Sequence, residues 1–133
     1  MERGDVYLVR MALPNRQNPG GPPVLRDKYV VILRGGPRTA ADTDVPVIVA
    51  SSDRRTEGQR LRNFEVNVDA NDGFRHSTIL DCRWPITLTK QQVGVGQYRF
   101  RLSGQRMQQV SVALVDGLQM YPPQPVAATT PPS

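Results

Sequence analysis

Short runs of apolar and β-branched residues recur along the chain at intervals that are typical of β-strands. Some runs alternate apolar and polar positions, and others are continuous apolar stretches bounded by turn residues. About six strands are predicted, over residues 6–11, 29–33, 46–50, 64–69, 77–84 and 98–102. No helical pattern separates these runs, so the spacing favours a small antiparallel barrel or sandwich over a parallel α/β sheet.

One amphipathic helix is predicted near the C-terminus, over residues 105–119. Ser103 is placed to cap this helix, and Leu102 and Met107 are placed to form a hydrophobic staple. Gly117 and Pro122 are predicted to end it. The apolar residues expected to pack on the sheet recur at helical spacing and are Met107, Val110, Leu114, Val115 and Leu118.

The chain is therefore predicted to be α+β and mainly β, with a barrel closed by one C-terminal helix in a single domain over residues 1–120. Residues 121–133 contain five prolines and no charged residue, a composition that predicts a flexible, Pro-rich tail.

The charge balance is basic and is carried by arginine. Lys and Arg number 17 against 12 Asp and Glu, and only Lys28 and Lys90 among these cations are lysines. Because the guanidinium group pairs with phosphate and stacks on bases, this bias favours a nucleic-acid partner. Alternatively, the arginine bias reflects a proteome that is rich in arginine as a whole.

Several classes of protein are excluded or disfavoured. The single cysteine, Cys82, can form neither an internal disulfide nor a Cys-based zinc site. The longest apolar runs are too short for a membrane span, and no signal peptide is visible at the N-terminus. We expect a soluble cytoplasmic protein with no metal, no cofactor and no membrane partner.

The predicted strand 77–84 carries the best candidates for chemistry. Strand alternation places Leu80, Cys82 and Trp84 toward the core and puts Asp81 next to Arg83 on the open face. A carboxylate beside a cation provides a proton acceptor and a positive charge, which cleavage of a phosphodiester needs. An ordinary surface ion pair is the simpler interpretation.

A basic loop and a strand end form a candidate phosphate track. The predicted RNA-contacting residues are Arg26, Arg54, Arg55, Arg60 and Arg62, with Lys28 at the start of the second strand. Tyr29 and Phe74 are the aromatic residues expected to be available for stacking on bases. His76, the only histidine, is expected to be a loop or packing residue rather than a general base.

In four places the chain resembles the MazF/PemK/Kid toxins of bacterial toxin–antitoxin pairs. The matching segments are the opening Met1-Glu-Arg-Gly-Asp-Val-Tyr-Leu-Val, the run from Lys28 to Ile32, the strand that ends at Ser51 and Ser52, and the run from Ser77 to Thr87. The predicted C-terminal helix also fits. The order Asp81-Cys82-Arg83 exchanges the Arg-x-Asp order of Kid-like members, and Lys28 stands where the family usually has arginine.

The resemblance implies an SH3-like barrel that forms a homodimer, binds an antitoxin protein and cleaves single-stranded RNA without a metal ion. In that chemistry Asp81 would be the base, Arg83 and Lys28 the acid or transition-state cations, and Ser52, or Ser51 if the register shifts by one, an orienting hydroxyl. Two alternatives are an inactive barrel that binds nucleic acid or a partner protein, and a toxin directed at a protein such as DNA gyrase.

Overall fold

The computed structural model describes residues 1–120, with side chains described for residues 1–119; the predicted tail lies outside this range. Seven strands, two α-helices and two short 3-10 helices (Pro37–Thr39 and Ala70–Asp72) follow one another along the described chain. The strands are β1 (Asp5–Leu13), β2 (Val24–Ile32), β3 (Asp44–Ser52), β4 (Glu65–Val68), β5 (Thr78–Asp81), β6 (Ile86–Thr89) and β7 (Gln97–Arg101). The α-helices are α1 (Lys90–Gly94) and α2 (Gly104–Met120). The prediction of a mainly β domain with a long C-terminal helix is confirmed.

The strands form one curled antiparallel sheet. Six of them follow the order β4-β5-β3-β2-β1-β7, and β6 joins the sheet by pairing with β3. Strand β3 is central, because β2 pairs along one edge while β6 and β5 share the other edge. Near the site, Val30 of β2 pairs with Val49 of β3, and Ser51 of β3 pairs with Ile79 of β5. These pairs fix which side chains share a face.

Each face of the sheet covers its own apolar cluster. Helix α2 packs on the first face through Met107 and Val110, against strand residues such as Val31 and Leu80. The second face carries Val30 and Val47, which cluster with Leu88 of β6 and Val93 of α1. Since both faces are covered in the middle of the sheet, the central strands are continuous apolar runs rather than alternating ones.

Helix α2 begins as predicted. The Oγ of Ser103 accepts a hydrogen bond from the backbone N–H of Arg106 at 3.1 Å, and the staple residues Leu102 and Met107 are both buried. The helix does not end at Gly117, which lies within it and is buried.

The predicted apolar stripe of α2 is partly wrong. Val115 and Leu118 are exposed, at 53% and 60%, while Ala113 is buried. The buried stripe is centred on Val110, and at about 100° per residue Val115 points about 140° away from it and Leu118 about 80° away. An apolar ridge of these two residues therefore faces solvent.

Strand β6 and helix α1 were not predicted, and β2 begins at Val24, before the predicted start at residue 29. Strand β6 has only four residues, Ile86-Thr87-Leu88-Thr89, so its alternation of apolar and polar positions is too short to identify a strand, and only Leu88 among them is buried. Conversely, the predicted strand 77–84 stops at Asp81, and the chain turns at Cys82 and Arg83. This early end of β5 shapes the candidate site.

Candidate functional site

An ion pair forms at the end of β5, where Asp81 is the last strand residue and Arg83 follows in a turn. The Nε of Arg83 donates to Asp81 Oδ1 at 3.0 Å, and its Nη2 donates to Oδ2 at 2.7 Å. The backbone N–H of Arg83 also donates to Oδ1, at 3.1 Å. The predicted proximity of the two side chains is confirmed, and their contact is bidentate.

The pair lies at the protein surface but is partly enclosed. The Asp81 side chain is 31% exposed and that of Arg83 is 20% exposed. Burial acts to raise the pKa of Asp81, but the hydrogen bonds and charge of Arg83, with the charge of Arg62, outweigh burial and lower the pKa below its ordinary value. Asp81 is therefore ionised at neutral pH.

The turn that carries Arg83 is fixed from two sides. The backbone N–H of Cys82 donates to the carbonyl of Phe64 at 2.9 Å, which ties the turn to the residue just before β4. On the other side, Gly117 of α2 lies so close that a Cβ there would be 3.1 Å from the Cys82 carbonyl oxygen and 3.2 Å from the Arg83 Cα. A Cβ at residue 117 would therefore require the turn to shift by a few tenths of an ångström.

Arg83 also contacts two aromatic rings. Its guanidinium carbon is 4.1 Å from the centroid of the Phe64 ring, and 6.0 Å from that of Trp84. The guanidinium carbon of Arg62 is 5.9 Å from the same Phe64 ring. We call these five residues, Asp81, Arg62, Arg83, Phe64 and Trp84, the Arg83 cluster.

The aromatic predictions require correction. Trp84 is 62% exposed rather than part of the core, because β5 ends at Asp81 and strand alternation does not extend to residue 84. Phe74 is buried instead of available for stacking, with its ring centroid 4.8 Å from that of Phe100 and 5.4 Å from that of Tyr29. Tyr29 is only half-buried, but its ring packs on the core against Phe74 and Phe100.

Lys28 shares a face of the sheet with Asp81. Val30 and Val49 are cross-strand partners, so Lys28 and Ser51, each two residues along from them, point to the same face. Ser51 in turn pairs with Ile79, which shares that face with Asp81. Two strand spacings, about 10 Å, separate β2 from β5.

Ser52 points to the opposite face, where it pairs with buried Thr78. Of the two serines named from the sequence, Ser51 is therefore the one whose side chain shares a face with Lys28 and Asp81, and it is exposed.

The basic loop divides into paired and unpaired arginines. Arg55 donates to Asp53 through Nε at 3.0 Å and Nη2 at 2.8 Å, and these bonds, with one from Ser77, hold the pKa of Asp53 far below its ordinary value. Arg54 and Arg60 are exposed and form no ion pair with any residue in the range 1–120.

On β2, Arg26 is exposed and shares the face of Lys28, and within the described part of the chain neither takes part in an ion pair. Of the cations predicted to contact RNA, five thus form no ion pair within residues 1–120: Arg26, Lys28, Arg54, Arg60 and Arg62.

Among residues 1–120, no group of three or more His, Cys, Asp and Glu side chains is placed to hold a metal ion. His76 is exposed and its ring contacts the carbonyl of Ser77. Neither α1 nor α2 is long and apolar enough to cross a membrane.

Solved structures match this chain, whereas no protein-family model and no curated protein does. Mycobacterium tuberculosis toxin MazF-mt6 aligns with a TM-score of 0.64 at 16% identity, covering 86% of this chain and 96% of that chain. An endoribonuclease from a mycobacterial species, solved in complex with its cognate antitoxin, aligns with a TM-score of 0.63 at 20% identity, covering 94% and 99%.

A third match is to MazE–MazF from Deinococcus radiodurans, with a TM-score of 0.65 at 12% identity, covering 90% of this chain and 96% of that chain. Each alignment spans nearly the whole of the solved chain. The sequence identities are low, so these likenesses establish a common fold.

Proposed function

We propose that this chain, which has the fold of the MazF toxins, is the toxin of a type II toxin–antitoxin system and cleaves single-stranded RNA without a metal ion. The observation that carries the proposal is the Asp81–Arg83 pair, partly enclosed at the end of β5 with a second guanidinium, that of Arg62, beside it. A carboxylate and two cations are the groups needed to move a proton and to stabilise a charged phosphorane.

In the proposed reaction Asp81 accepts the proton of a ribose 2′-OH, and the resulting oxygen attacks the adjacent phosphorus. The bond from phosphorus to the 5′-oxygen breaks, which leaves a 2′,3′-cyclic phosphate and a 5′-hydroxyl. Arg83 and Arg62 stabilise the negative charge that develops on the phosphate oxygens.

The proton for the leaving 5′-oxygen comes from Lys28 in this scheme, because an arginine does not give up a proton in proteins. Ser51, on the same face as Lys28 and Asp81, orients the substrate by a hydrogen bond, in place of Ser52. The exposed arginines Arg26, Arg54 and Arg60 hold the neighbouring phosphates, which contributes affinity without reading sequence.

An antitoxin protein and a second copy of this chain are the proposed partners, and the cytoplasm is the proposed location. Two of the similar structures are described as complexes, one with a cognate antitoxin and one as MazE–MazF. A bound antitoxin would prevent RNA from reaching the face that carries Arg26, Lys28 and Asp81 until the antitoxin is removed.

The test is incubation of the purified full chain with long single-stranded RNA in EDTA, followed by analysis of the product ends. We expect cleavage that leaves cyclic phosphate ends and that is lost in Asp81→Asn and in Arg83→Ala. His76→Ala is the control, because His76 is exposed and lies outside the Arg83 cluster; it should cleave like the parent. Cleavage that requires added Mg²⁺, or that persists in both site variants, would contradict the proposal.

A second candidate function is RNA binding without cleavage. The bidentate contact favours it, since Arg83 occupies both Asp81 oxygens and the carboxylate is a weak base. Salt-dependent RNA binding without products is then expected. Replacing Arg54 and Arg60 together by Gln should lower the slope of log K against log salt by about 1.4, at about 0.7 per phosphate contact. Arg55→Gln is the matched control, because Arg55 is bound to Asp53.

A further inference from the structure

Trp84 presents an aromatic surface directly beside the Arg83 cation. The indole side chain is 62% exposed, more than that of any other aromatic residue described, and it follows Arg83 in sequence. A tryptophan is seldom this exposed in a folded domain. Trp84 is also the only tryptophan of the chain.

We propose that Trp84 is a base-stacking subsite, which takes the nucleobase next to the phosphate bound by Arg83. The ligand is single-stranded RNA, so this inference rests on the proposed function and adds to it the residue that binds a base. Aromatic rings that alternate with cations are typical of proteins that bind single strands, because the ring stacks on a base while the cation holds the phosphate.

The distances suit one nucleotide. The Arg83 guanidinium carbon lies 6.0 Å from the Trp84 ring centroid and 4.1 Å from the Phe64 ring centroid. Phe64 is fully buried, so the exposed ring of the two is the one that a base can reach. A phosphate on Arg83 would place its own base, one sugar away, at the level of the indole.

The backbone presents this ring from a stiff segment. Pro85 follows Trp84 and confines the residue before it to extended conformations. On the other side the turn at Cys82 and Arg83 is tied to Phe64 and lies against Gly117. A preorganised ring loses little conformational entropy when a base stacks on it, which favours binding.

The chemistry around Trp84 favours a base over an apolar peptide. The charged groups of the Arg83 cluster include two guanidinium groups, Arg83 and Arg62, and such groups suit a phosphate chain. An apolar peptide would be expected to seek the ridge of α2 at Val115 and Leu118 instead.

The fluorescence of the single tryptophan gives a direct test on the whole protein. The probe is a 2′-O-methyl RNA of mixed sequence, about ten nucleotides long to match typical single-strand sites. It lacks a free 2′-OH, so the proposed reaction cannot cleave it. We expect its binding in EDTA to quench Trp84 emission. A second probe with the same sugars and phosphates but without bases should bind weakly and leave the emission unchanged.

Variants measure the contribution of the ring to affinity. Trp84→Ala should raise the Kd of the 2′-O-methyl probe by about 5- to 150-fold, as expected for the loss of one base stack. Trp84→Phe should recover most of this loss, because a smaller ring still stacks. Tyr98→Ala is the matched control, since Tyr98 is 54% exposed but lies on edge strand β7; its Kd should not change.

The outcomes separate this inference from the proposed function. If Trp84→Ala binds the probe as tightly as the parent, or if the probe without bases quenches equally, the stacking subsite is refuted even when RNA is cleaved. The stacking subsite is also refuted if Trp84→Ala binds an antitoxin protein less tightly but keeps the parent affinity for the RNA probe. If quenching and the loss of affinity are observed but unmodified RNA stays intact, the subsite stands and the proposed nuclease activity falls.

Discussion

The guanidinium group of Arg83 lies over the buried ring of Phe64, with its carbon 4.1 Å from the ring centroid. The same arginine holds both oxygens of Asp81. Phe64 thereby acts on the candidate base indirectly, since the position of its ring sets the position of the cation that pairs with Asp81. The backbone of Phe64 adds a second link, through its bond to Cys82.

Phe64→Leu is expected to lower RNA cleavage by about 3- to 30-fold, the range expected for the loss of a partly buried cation–π contact. Leucine keeps the site apolar but removes the π face that holds Arg83. The measurement is kcat/KM in EDTA, with thermal unfolding as a check on the fold. Phe74→Leu is the matched control, because Phe74 is similarly buried and belongs to a different aromatic cluster. Equal losses of activity in the two variants would show that Phe64 contributes only to the stability of the fold and does not position Arg83.

The pH dependence of Asp81 gives a second prediction. Burial acts to raise its pKa and the hydrogen bonds of Arg83 lower it below the ordinary 3.8. Removing Arg83 leaves burial without its main opposing interaction, so Arg83→Ala should raise the pKa of Asp81 above 3.8. In the parent, the contribution of the pair to stability is present above about pH 4 and is lost as the pH falls through the lowered pKa.

Carboxyl-carbon NMR titration of Asp81 measures this shift. Arg55→Ala serves as the control, because Arg55 binds Asp53 and its removal should shift Asp53 while leaving Asp81 in place. A midpoint for Asp81 that is the same in the parent and in Arg83→Ala would show that the ion pair does not set its pKa.

Much of the sheet follows from local patterns in the sequence. Continuous apolar runs such as 29–33 predict central strands, because a strand covered on both faces has no polar side to display. The pattern fails where an element is short and largely exposed, as in β6, or where a strand stops. At Cys82 the chain turns, and alternation then assigns Trp84 to the wrong environment.

From the residue pattern alone, a side-chain contact within the candidate site was predicted only between residues that are close in sequence. Asp81 and Arg83 are two residues apart, and local geometry was enough to bring them together. The contact of Phe64 with Arg83 spans about twenty residues and depends on how the loop after β3 returns to β4. The path of this loop cannot be predicted from the periodicity of apolar and polar residues. Likewise, the choice between Ser51 and Ser52 needs the register of β3, which a shift of one residue reverses.

The two serines at the end of β3 provide a third test. Ser51 shares the face of Lys28 and Asp81, whereas Ser52 faces the other way. We expect Ser51→Ala to lower kcat by about 10- to 150-fold, as for the loss of a hydrogen bond to a charged group, and Ser52→Ala to leave it near the parent value. The two variants remove the same atom from adjacent exposed positions, so each controls for the other. A larger effect at Ser52 would reverse the assignment of the face.

Gly117 in α2 tests whether the helix positions Arg83. A methyl group at residue 117 would lie 3.1 Å from the Cys82 carbonyl oxygen and 3.2 Å from the Arg83 Cα, closer than ordinary van der Waals contact. The turn must shift by a few tenths of an ångström to admit it, and the bidentate contact of Arg83 with Asp81 shifts with the turn. Gly117→Ala is therefore expected to lower kcat severalfold while KM changes little, since the cations proposed to bind the RNA elsewhere are untouched.

Gly104→Ala in the same helix is the matched control. A Cβ at residue 104 meets no atom within 4 Å, so this change should raise stability by up to about 1 kcal/mol through helix propensity and leave kcat unaltered. Thermal unfolding and steady-state cleavage of one RNA in EDTA separate the two effects. If Gly117→Ala gains stability as Gly104→Ala does and retains full kcat, then α2 does not position Arg83, and the backbone link from Cys82 to Phe64 alone suffices to hold the turn.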